Sequence, residues 1–406
     1  MNMANTNPDK RRWVYLIAGT IGMLFAGIIY AWSILKGPLN TELGWQPTAL
    51  SWNFTITMGM FCIGGIVGSL LSKKIGVKLS VVIGGILCGV GFVLSSFLSS
   101  SQLVIFYLTY GVMAGFGIGI AYNVLVSTVN AWFPGRQGFS SGCLMLGFGF
   151  STLLLGTVSN SLFSSIGWRT TYIVLGIAIG VVLVLAGLIV KKPDSPRKMT
   201  AQSDKEGPKT EDDHSYTPKQ MLQSALFWKF FIFLVLLTSV GNSIAGFAKD
   251  LALFSGAGDS MAATLVGAFA VCNGGFRVVI GILFDKLGRG KAMYLFSTLG
   301  ILTSVLCILT ALTGSLTICT ITLCIAGCTV GCSPTMSTAG ANAFFGKRYY
   351  PTNFSIIVSH LLVASFMATL SSAMVVKTGG YLVPFIIFLV ISVIALILNL
   401  NINRKK

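Results

Sequence analysis

The chain has 406 residues, of which 54% are hydrophobic and only 10% are charged, whereas soluble globular proteins carry roughly 25% charged residues. This composition excludes an ordinary soluble protein and predicts one that crosses a membrane many times. The net charge of +17 does not indicate a nucleic-acid partner, because the basic residues cluster in short turns between apolar runs. The nine cysteines have no metal-ligand spacing with histidine, so no metal or other cofactor is expected.

Twelve apolar runs follow one another, each near the roughly 20 residues that a membrane-crossing helix needs. They are residues 13–35, 49–71, 79–98, 102–125, 138–163, 170–190, 227–249, 261–284, 292–312, 316–339, 353–376 and 381–400. The polar stretch 191–220 is rich in charge, proline and serine, and it predicts a flexible cytoplasmic linker. We therefore expect a six-helix bundle in residues 1–190 and a second one in residues 221–406.

The distribution of basic residues predicts the orientation. Of the 28 Lys and Arg residues, 23 lie at the chain ends, in the linker, and in or beside the turns after even-numbered runs. Cytoplasmic segments of membrane proteins carry such an excess. We expect a multi-pass protein of the plasma (inner) membrane, embedded in the lipid bilayer, with both termini in the cytoplasm.

The two halves repeat each other. Residues 130–136 (NAWFPGR) follow the fourth run, and residues 342–348 (NAFFGKR) follow the tenth, 212 residues later. Residues 68–78 and 281–291 form a second pair of related turns, after the second and eighth runs. Two parallel six-helix repeats around a shared central site are typical of alternating-access secondary transporters.

The turn after the eighth run carries a motif formed by Gly281, Asp285, Gly288, Arg289 and Lys291. This spacing resembles the gating-loop signature of the major facilitator superfamily, although the related turn after the second run has a lysine where the acidic residue is usual. The resemblance implies an all-α integral membrane protein with twelve transmembrane helices in two pseudo-symmetric bundles. It also implies a transporter, not an enzyme, that works as a monomer.

Within that superfamily, the chain resembles the oxalate:formate antiporter family and, more distantly, the monocarboxylate transporters. Residues 12–16 (RWVYL), 30–33 (YAWS), 130–134 (NAWFP) and 272–277 (CNGGFR) carry this resemblance. In the resembling family, the arginine of the last segment binds the substrate carboxylate, and Arg277 matches that position.

Arg277 is also singled out by its depth. It lies eight residues before Asp285, about 12 Å inside one boundary of a hydrocarbon core about 30 Å thick. A charge at such depth is unfavourable by roughly 2.5–3.5 kcal/mol and indicates a functional site. Asn273, four residues earlier, shares its helix face. No Asp or Glu lies within any run, so we expect anion binding; the alternative is a structural pair with Asp250 or Asp259.

Four further residues are candidates for the substrate site. Tyr30, Tyr122 and Asn123 place polar groups on helices that line the cavity in the resembling superfamily. For each of them, a bond to a neighbouring helix is the alternative. Phe148 stands where the oxalate antiporter has a tyrosine, and residues 326 and 330 replace an aromatic pair, so we expect a substrate other than oxalate.

Two basic residues complete the candidates. His360 is the only histidine within a run and lies about as deep as Arg277. It precedes by one residue the position of a second cation in the oxalate antiporter, and it could carry a coupling proton; a bond to a backbone carbonyl is the alternative. Lys36 matches a lysine that attracts the anion at the outer mouth of monocarboxylate transporters, and snorkelling to the interface is its alternative.

Together these features predict a secondary transporter of small monocarboxylates of the lactate, pyruvate or formate type. Its expected partners are a carboxylate anion and, for a symport mechanism, a proton; anion exchange is the other mechanism. Alternatives are an oxalate-type dicarboxylate antiporter and a transporter of a neutral solute in which Arg277 is structural. A non-transporting sensor would need a folded output domain, and the 30-residue linker is too polar to form one.

Overall fold

The computed structural model describes residues 8–193 and 215–403, which are almost entirely helical. Ten helical segments are long and apolar enough to cross a membrane. Two of them, Gln137–Ile189 with 53 residues and Thr264–Thr313 with 50, are long enough to cross twice. Each turns at a glycine with positive φ, Gly167 (77°) and Gly288 (80°), where other residues are strained. The chain therefore makes the twelve crossings that the apolar runs predict.

We number these crossings as spans 1 to 12. Their bounds are Pro8–Ala26, the 3-10 turn Gly27–Ala31 and Trp32–Leu43 (span 1), Pro47–Lys74 (span 2), Gly76–Ser95 (span 3), Leu103–Phe106, π-helical Tyr107–Ala114 and Gly115–Asn130 (span 4), Gln137–Ile189 (spans 5 and 6), Ala225–Phe254 (span 7), Asp259–Thr313 (spans 8 and 9), Leu316–Phe345 (span 10), Tyr350–Val358 and His360–Thr378 (span 11), and Leu382–Asn403 (span 12). The short helix Pro218–Gln223 precedes span 7 and begins with a capping box at Thr217.

Two spans are irregular beside predicted site residues. Span 1 tightens into a 3-10 turn that contains Tyr30. Its Gly27 packs so closely on span 5 that a Cβ there would lie 2.2 Å from the carbonyl oxygen of Phe148. Span 11 ends one helix at Val358 and begins the next at His360. Interruptions of this kind in membrane helices are frequent at transport sites.

The glycine-rich face of span 4 packs against span 2. A Cβ at Gly115 would lie 2.7 Å from the carbonyl oxygen of Thr57, and one at Gly119 would lie 2.1 Å from that of Phe61. Such close backbone approach is typical of small residues between membrane helices. These glycines therefore serve helix packing, as their spacing suggests.

Hydrogen bonds between turns distinguish the two faces of the molecule. On one face, Trp132 donates to the carbonyl of Lys191 at 2.6 Å, and the backbone of Tyr216 donates to Phe345 at 3.0 Å. We call this the linker face, because both described ends of the central linker lie there; residues 194–214 of that linker lie outside the described residues. On the opposite face, Trp45 donates to the carbonyl of Ser100 at 2.7 Å.

The two halves of the chain meet between the level of Arg277 and the linker face. Spans 2 and 11 are joined there by Ser69, which bonds to Thr352 at 3.1 Å, and by Ser355, which donates to the carbonyl of Gly65 at 2.9 Å. Spans 5 and 8 touch through their backbones, since a Cβ at Gly281 would lie 2.1 Å from the carbonyl oxygen of Gly138. The halves are therefore packed together at the linker face in this conformation.

Candidate functional site

Arg277 reaches from span 8 across to the other half of the molecule. Its Nε donates to Oδ1 of Asn273 at 3.2 Å, as their helical spacing predicts. Its Nη1 donates to the backbone carbonyl of Met145 on span 5 at 2.6 Å. The residue is only 5% exposed. The guanidinium thus lies between the halves, with one neutral oxygen from each half.

The charge of Arg277 has no carboxylate partner among the described side chains. Both of its hydrogen-bond acceptors are neutral oxygens. Nε and Nη1 make these two bonds, and Nη2 takes part in neither. A purely structural role for Arg277 would require an acidic partner. The side chain of Asp259, one of the two expected partners, is not among the described side chains. A buried cation with only neutral partners is unfavourable and attracts an anion. The positive charge of Arg277 is therefore not balanced by any carboxylate among the described side chains.

Aromatic side chains surround this guanidinium on the side of the amino-terminal half. Phe148 lies edge-on to Tyr30 at 5.4 Å and to Tyr122 at 5.0 Å between ring centroids. Both tyrosines lie near Arg277, and the hydroxyl of Tyr122 donates to Sδ of Met145 at 3.4 Å. The structure thus brings five predicted residues into one cluster, which we call the arginine cluster: Arg277, Asn273, Tyr30, Tyr122 and Phe148.

Sequence analysis missed three members of this region. Phe61 packs against Tyr122 at 5.0 Å between ring centroids. Met145 offers a backbone carbonyl, and no side-chain pattern in a sequence reveals such a role. Gly149 lies directly against the guanidinium. The seven-residue spacing of Gly142 and Gly149, which matches that of Gly274 and Gly281 on span 8, is the signal that would have pointed to Gly149.

Asn123 lies beside the arginine cluster but bonds to span 11. Its Nδ2 donates to Oγ of Ser355 at 2.7 Å and to the carbonyl of Pro351 at 3.1 Å. Its Oδ1 is buried without a hydrogen-bond partner. A cavity with room for about one water molecule adjoins Asn123 and Tyr122. In this conformation Asn123 holds the two halves together.

His360 is fully enclosed and bonds through both ring nitrogens. Nδ1 lies 2.8 Å from the carbonyl oxygen of Ile357, and Nε2 lies 3.2 Å from Oγ of Ser333. A carbonyl oxygen only accepts, so Nδ1 carries a proton, and in the neutral imidazole Nε2 accepts from Ser333. The hydroxyl of Ser333 in turn bonds to Thr238 on span 7. The hydrogen bonds of His360 therefore stay within the carboxyl-terminal half and do not reach Arg277.

Lys36 lies on the opposite face, in the helix Trp32–Leu43, which continues beyond the predicted end of its run. The residue is half-buried. It lies six residues beyond Tyr30 on span 1, which corresponds to about 9 Å of helix.

The chain matches the Major Facilitator Superfamily over residues 14–369 and 231–405. The protein belongs to this superfamily. It is 24% identical to the oxalate:formate antiporter of Oxalobacter formigenes, over 95% of this chain and 90% of that protein. It is 27% identical to human monocarboxylate transporter 2 over 55% of this chain and 46% of that protein. Membership of this superfamily identifies the protein as a membrane transporter and not an enzyme.

The fold agrees with solved structures of the superfamily. The proton:xylose symporter XylE, bound to 6-bromo-6-deoxy-D-glucose, superimposes with a TM-score of 0.75 at 16% identity, over 96% of this chain and 95% of that one. This similarity confirms the predicted all-α fold of two pseudo-symmetric six-helix bundles. It concerns the fold alone.

The sequence motif in the turn after span 8 joins the halves at the linker face. The two carboxylate oxygens of Asp285 accept from the backbone N–H groups of Gly138 and Phe139, each at 2.8 Å. These N–H groups belong to the first turn of span 5, where no intrahelical acceptor exists. A carboxylate there is also favoured by the helix dipole. Asp285 and the first turn of span 5 thus form a tie between the halves, which we call the span 5–8 latch.

The rest of the motif shapes the turn itself. Gly288 has the positive φ that reverses the chain between spans 8 and 9. Arg289 donates to the carbonyl of Ala343 at 3.2 Å and lies 4.7 Å over the ring of Phe344, while Lys291 is exposed. In the related turn after span 2, Lys73 donates to Oγ1 of Thr352 at 3.2 Å. Both turns therefore contact the other half of the chain or the neighbouring turn on the linker face.

Proposed function

We propose that this transporter carries small monocarboxylates of the lactate, pyruvate or formate type. The observation that supports this proposal is the buried guanidinium of Arg277, whose hydrogen bonds go to neutral oxygens. A planar guanidinium binds a carboxylate through parallel charged hydrogen bonds. The N–H groups on the Nη2 edge of the guanidinium donate the hydrogen bonds to the anion.

The other members of the arginine cluster bind the remainder of the substrate. Asn273 holds Nε of Arg277 and so orients the guanidinium. The rings of Tyr30, Tyr122 and Phe148 present apolar surface next to it. The hydroxyl of Tyr30 is placed to donate to a keto or hydroxyl oxygen of the substrate, whereas that of Tyr122 donates to Met145. A short organic acid has this combination of one charged end and a small, weakly polar body.

A single carboxylate fits this site better than two. A dicarboxylate calls for a second fixed cation, and His360 bonds to Ser333 and Ile357 instead of facing Arg277. A transporter of oxalate is the second candidate, because this chain is similar to the oxalate:formate antiporter over 95% of the present chain. Formate is supported both by the single cation of the arginine cluster and by this similarity.

Transport follows from movement of the halves around Arg277. Residues 1–190 and 221–406 act as the two units, the termini and the linker face lie in the cytoplasm, and the protein resides in the plasma membrane as a monomer. In the present conformation the linker face is packed, so the anion reaches Arg277 from the opposite face, where Lys36 attracts it. We favour exchange of one anion for another, with proton symport as the alternative.

Uptake of a substrate panel by proteoliposomes tests this function. We expect radiolabelled lactate, pyruvate or formate to be taken up and the same unlabelled acids to compete, because each offers one carboxylate to Arg277. We expect oxalate to compete weakly. Measurements with and without a pH gradient then separate exchange from symport. Uptake of neutral sugars without uptake of any carboxylate would contradict the proposal.

A His360→Asn variant tests proton coupling. Because His360 is enclosed and hydrogen-bonded at both nitrogens, we expect the variant to lower the melting temperature and to leave the pH dependence of uptake unchanged. The measurement is initial uptake across a pH series, with counterflow exchange as the control for an intact substrate site. Loss of the pH dependence with preserved counterflow would instead identify His360 as the proton carrier.

A further inference from the structure

Gly149 on span 5 faces the guanidinium of Arg277. A Cβ at this position would lie 2.6 Å from Cζ, 2.8 Å from Nη1 and 2.9 Å from Nη2. Cζ would be the nearest atom, and the two nitrogens would be almost equally distant. A methyl group at this position would therefore face the flat side of the guanidinium and not its edge. The backbone of span 5 therefore covers one face of the guanidinium.

With one face covered, the edges of the guanidinium have fixed directions. The Nε edge meets Asn273, and Nη1 meets the carbonyl of Met145, four residues before Gly149 on the same span. The edge around Nη2 is left for a ligand. Met145 and Gly149 together thus form a slot that determines where the free edge points.

We propose that Gly149 is a positioning residue for the transported anion: the absence of a side chain creates the slot that aims the free edge of Arg277. This inference rests on the proposed function of Arg277 in carboxylate binding. It assigns to Gly149 a role in substrate affinity that differs from the helix-packing role of Gly138 and Gly142 on the same span.

The neighbouring glycines on span 5 show this difference. A Cβ at Gly142 would lie 2.6 Å from the backbone oxygen of Arg277 and 2.8 Å from Cα of Val278, and one at Gly138 would lie 2.2 Å from the backbone oxygen of Gly281. At those positions a methyl group would push two helix backbones apart. At Gly149 it would meet only the flexible end of a side chain, so the guanidinium would move and the helices would stay.

The size of that movement predicts the effect on transport. The guanidinium would have to retreat from 2.6 Å to at least 3.4 Å, the lower limit of ordinary contact. A displacement of nearly 1 Å also draws Nη1 away from Met145. Misplacement of a binding group by about 1 Å can reduce activity about 10²-fold. We expect Gly149→Ala to raise KM by about 10- to 100-fold, with a much smaller change in maximal rate.

The experiment compares three glycine variants in proteoliposomes, with radiolabelled lactate, pyruvate and formate as probes and the melting temperature of the purified protein as a second measurement. Gly149→Ala should raise KM at a nearly unchanged melting temperature. Gly142→Ala should lower the melting temperature, because it separates spans 5 and 8. Gly267→Ala is the matched control, since nothing lies within 4 Å of a Cβ at that position of span 8, and it should behave as wild type.

Two outcomes would overturn the inference while the proposed function stands. One is a wild-type KM for Gly149→Ala when Arg277→Gln abolishes uptake. The other is a fall in melting temperature as large as that of Gly142→Ala, which would make Gly149 a packing residue. By contrast, if Arg277→Gln retains uptake, carboxylate binding by Arg277 fails, and the positioning role fails with it.

Discussion

Arg277→Gln should reduce carboxylate uptake to the level of protein-free liposomes, and Arg277→Lys should reduce it nearly as far. Each charged hydrogen bond to the substrate contributes about 1.5–3 kcal/mol, so the loss of two weakens binding roughly 10²- to 10⁴-fold. Lysine keeps the charge but is a point donor without the planar fork, and it loses the bonds to Asn273 and Met145. Initial uptake of the labelled monocarboxylates measures the effect.

The same Arg277→Gln variant should be at least as thermally stable as the wild type in the absence of substrate. Removal of a buried charge that has only neutral partners relieves its desolvation penalty. Lys377→Gln, which removes a charge at the end of span 11, serves as the control and should transport normally. Near-normal uptake by Arg277→Gln would contradict the anion site and favour a neutral solute.

Asp285→Asn should shift the protein away from the conformation that is packed at the linker face and should lower uptake strongly. An asparagine offers one acceptor oxygen where the carboxylate offers two, so one of the two N–H groups, on Gly138 or Phe139, loses its partner. Because Asp285 is half-buried, we expect the packed state to lose about 1–2 kcal/mol. This corresponds to roughly a tenfold change in population.

Distance measurements between spin labels at positions 74 and 347, which lie in different halves on the linker face, report this shift. Lys286→Gln is the matched control, because it removes a charge from the adjacent residue without touching the acceptors of the span 5–8 latch. The control should keep the wild-type distance distribution. Identical distance distributions for Asp285→Asn and wild type would show that the span 5–8 latch does not stabilise the conformation that is packed at the linker face.

The two related turns stabilise the packed linker face unequally. Asp285 places a negative charge at the amino-terminal end of span 5, where the helix dipole favours it. Lys73 places a positive charge at the amino-terminal end of span 11, where the dipole opposes it, and its partner is the neutral hydroxyl of Thr352. The span 5–8 latch is therefore the stronger of the two, although the sequence repeat relates them.

The arginine cluster itself joins the halves. Nη1 of Arg277 bonds to the carbonyl of Met145 at 2.6 Å, so the residue proposed to bind substrate also ties span 8 to span 5. We expect a carboxylate that binds the free edge of the guanidinium to alter this bond as well. Under the proposed function, we therefore expect Arg277 to couple substrate binding to movement of the halves, as alternating access requires.

Features that depend on local spacing could be predicted from the sequence. The lengths of the apolar runs determined the twelve crossings, because a helix needs about 20 residues to span the bilayer. The four-residue spacing of Asn273 and Arg277 determined that they share a face, and the structure shows their hydrogen bond. The positive φ at Gly288 likewise follows from a glycine in a turn.

Features that join different helices were decided only by the tertiary structure. The partner of Nη1 is a backbone carbonyl at Met145, the face of the guanidinium meets a glycine at position 149, and His360 bonds to Ser333 on span 10. Each of these contacts depends on the rotation of a helix about its axis and on its height relative to its neighbours. Hydrophobic periodicity defines an apolar face only broadly and leaves both of these quantities open. Arg277 is therefore evident from the sequence, whereas the direction in which its free edge points is set by the packing of spans 5 and 8.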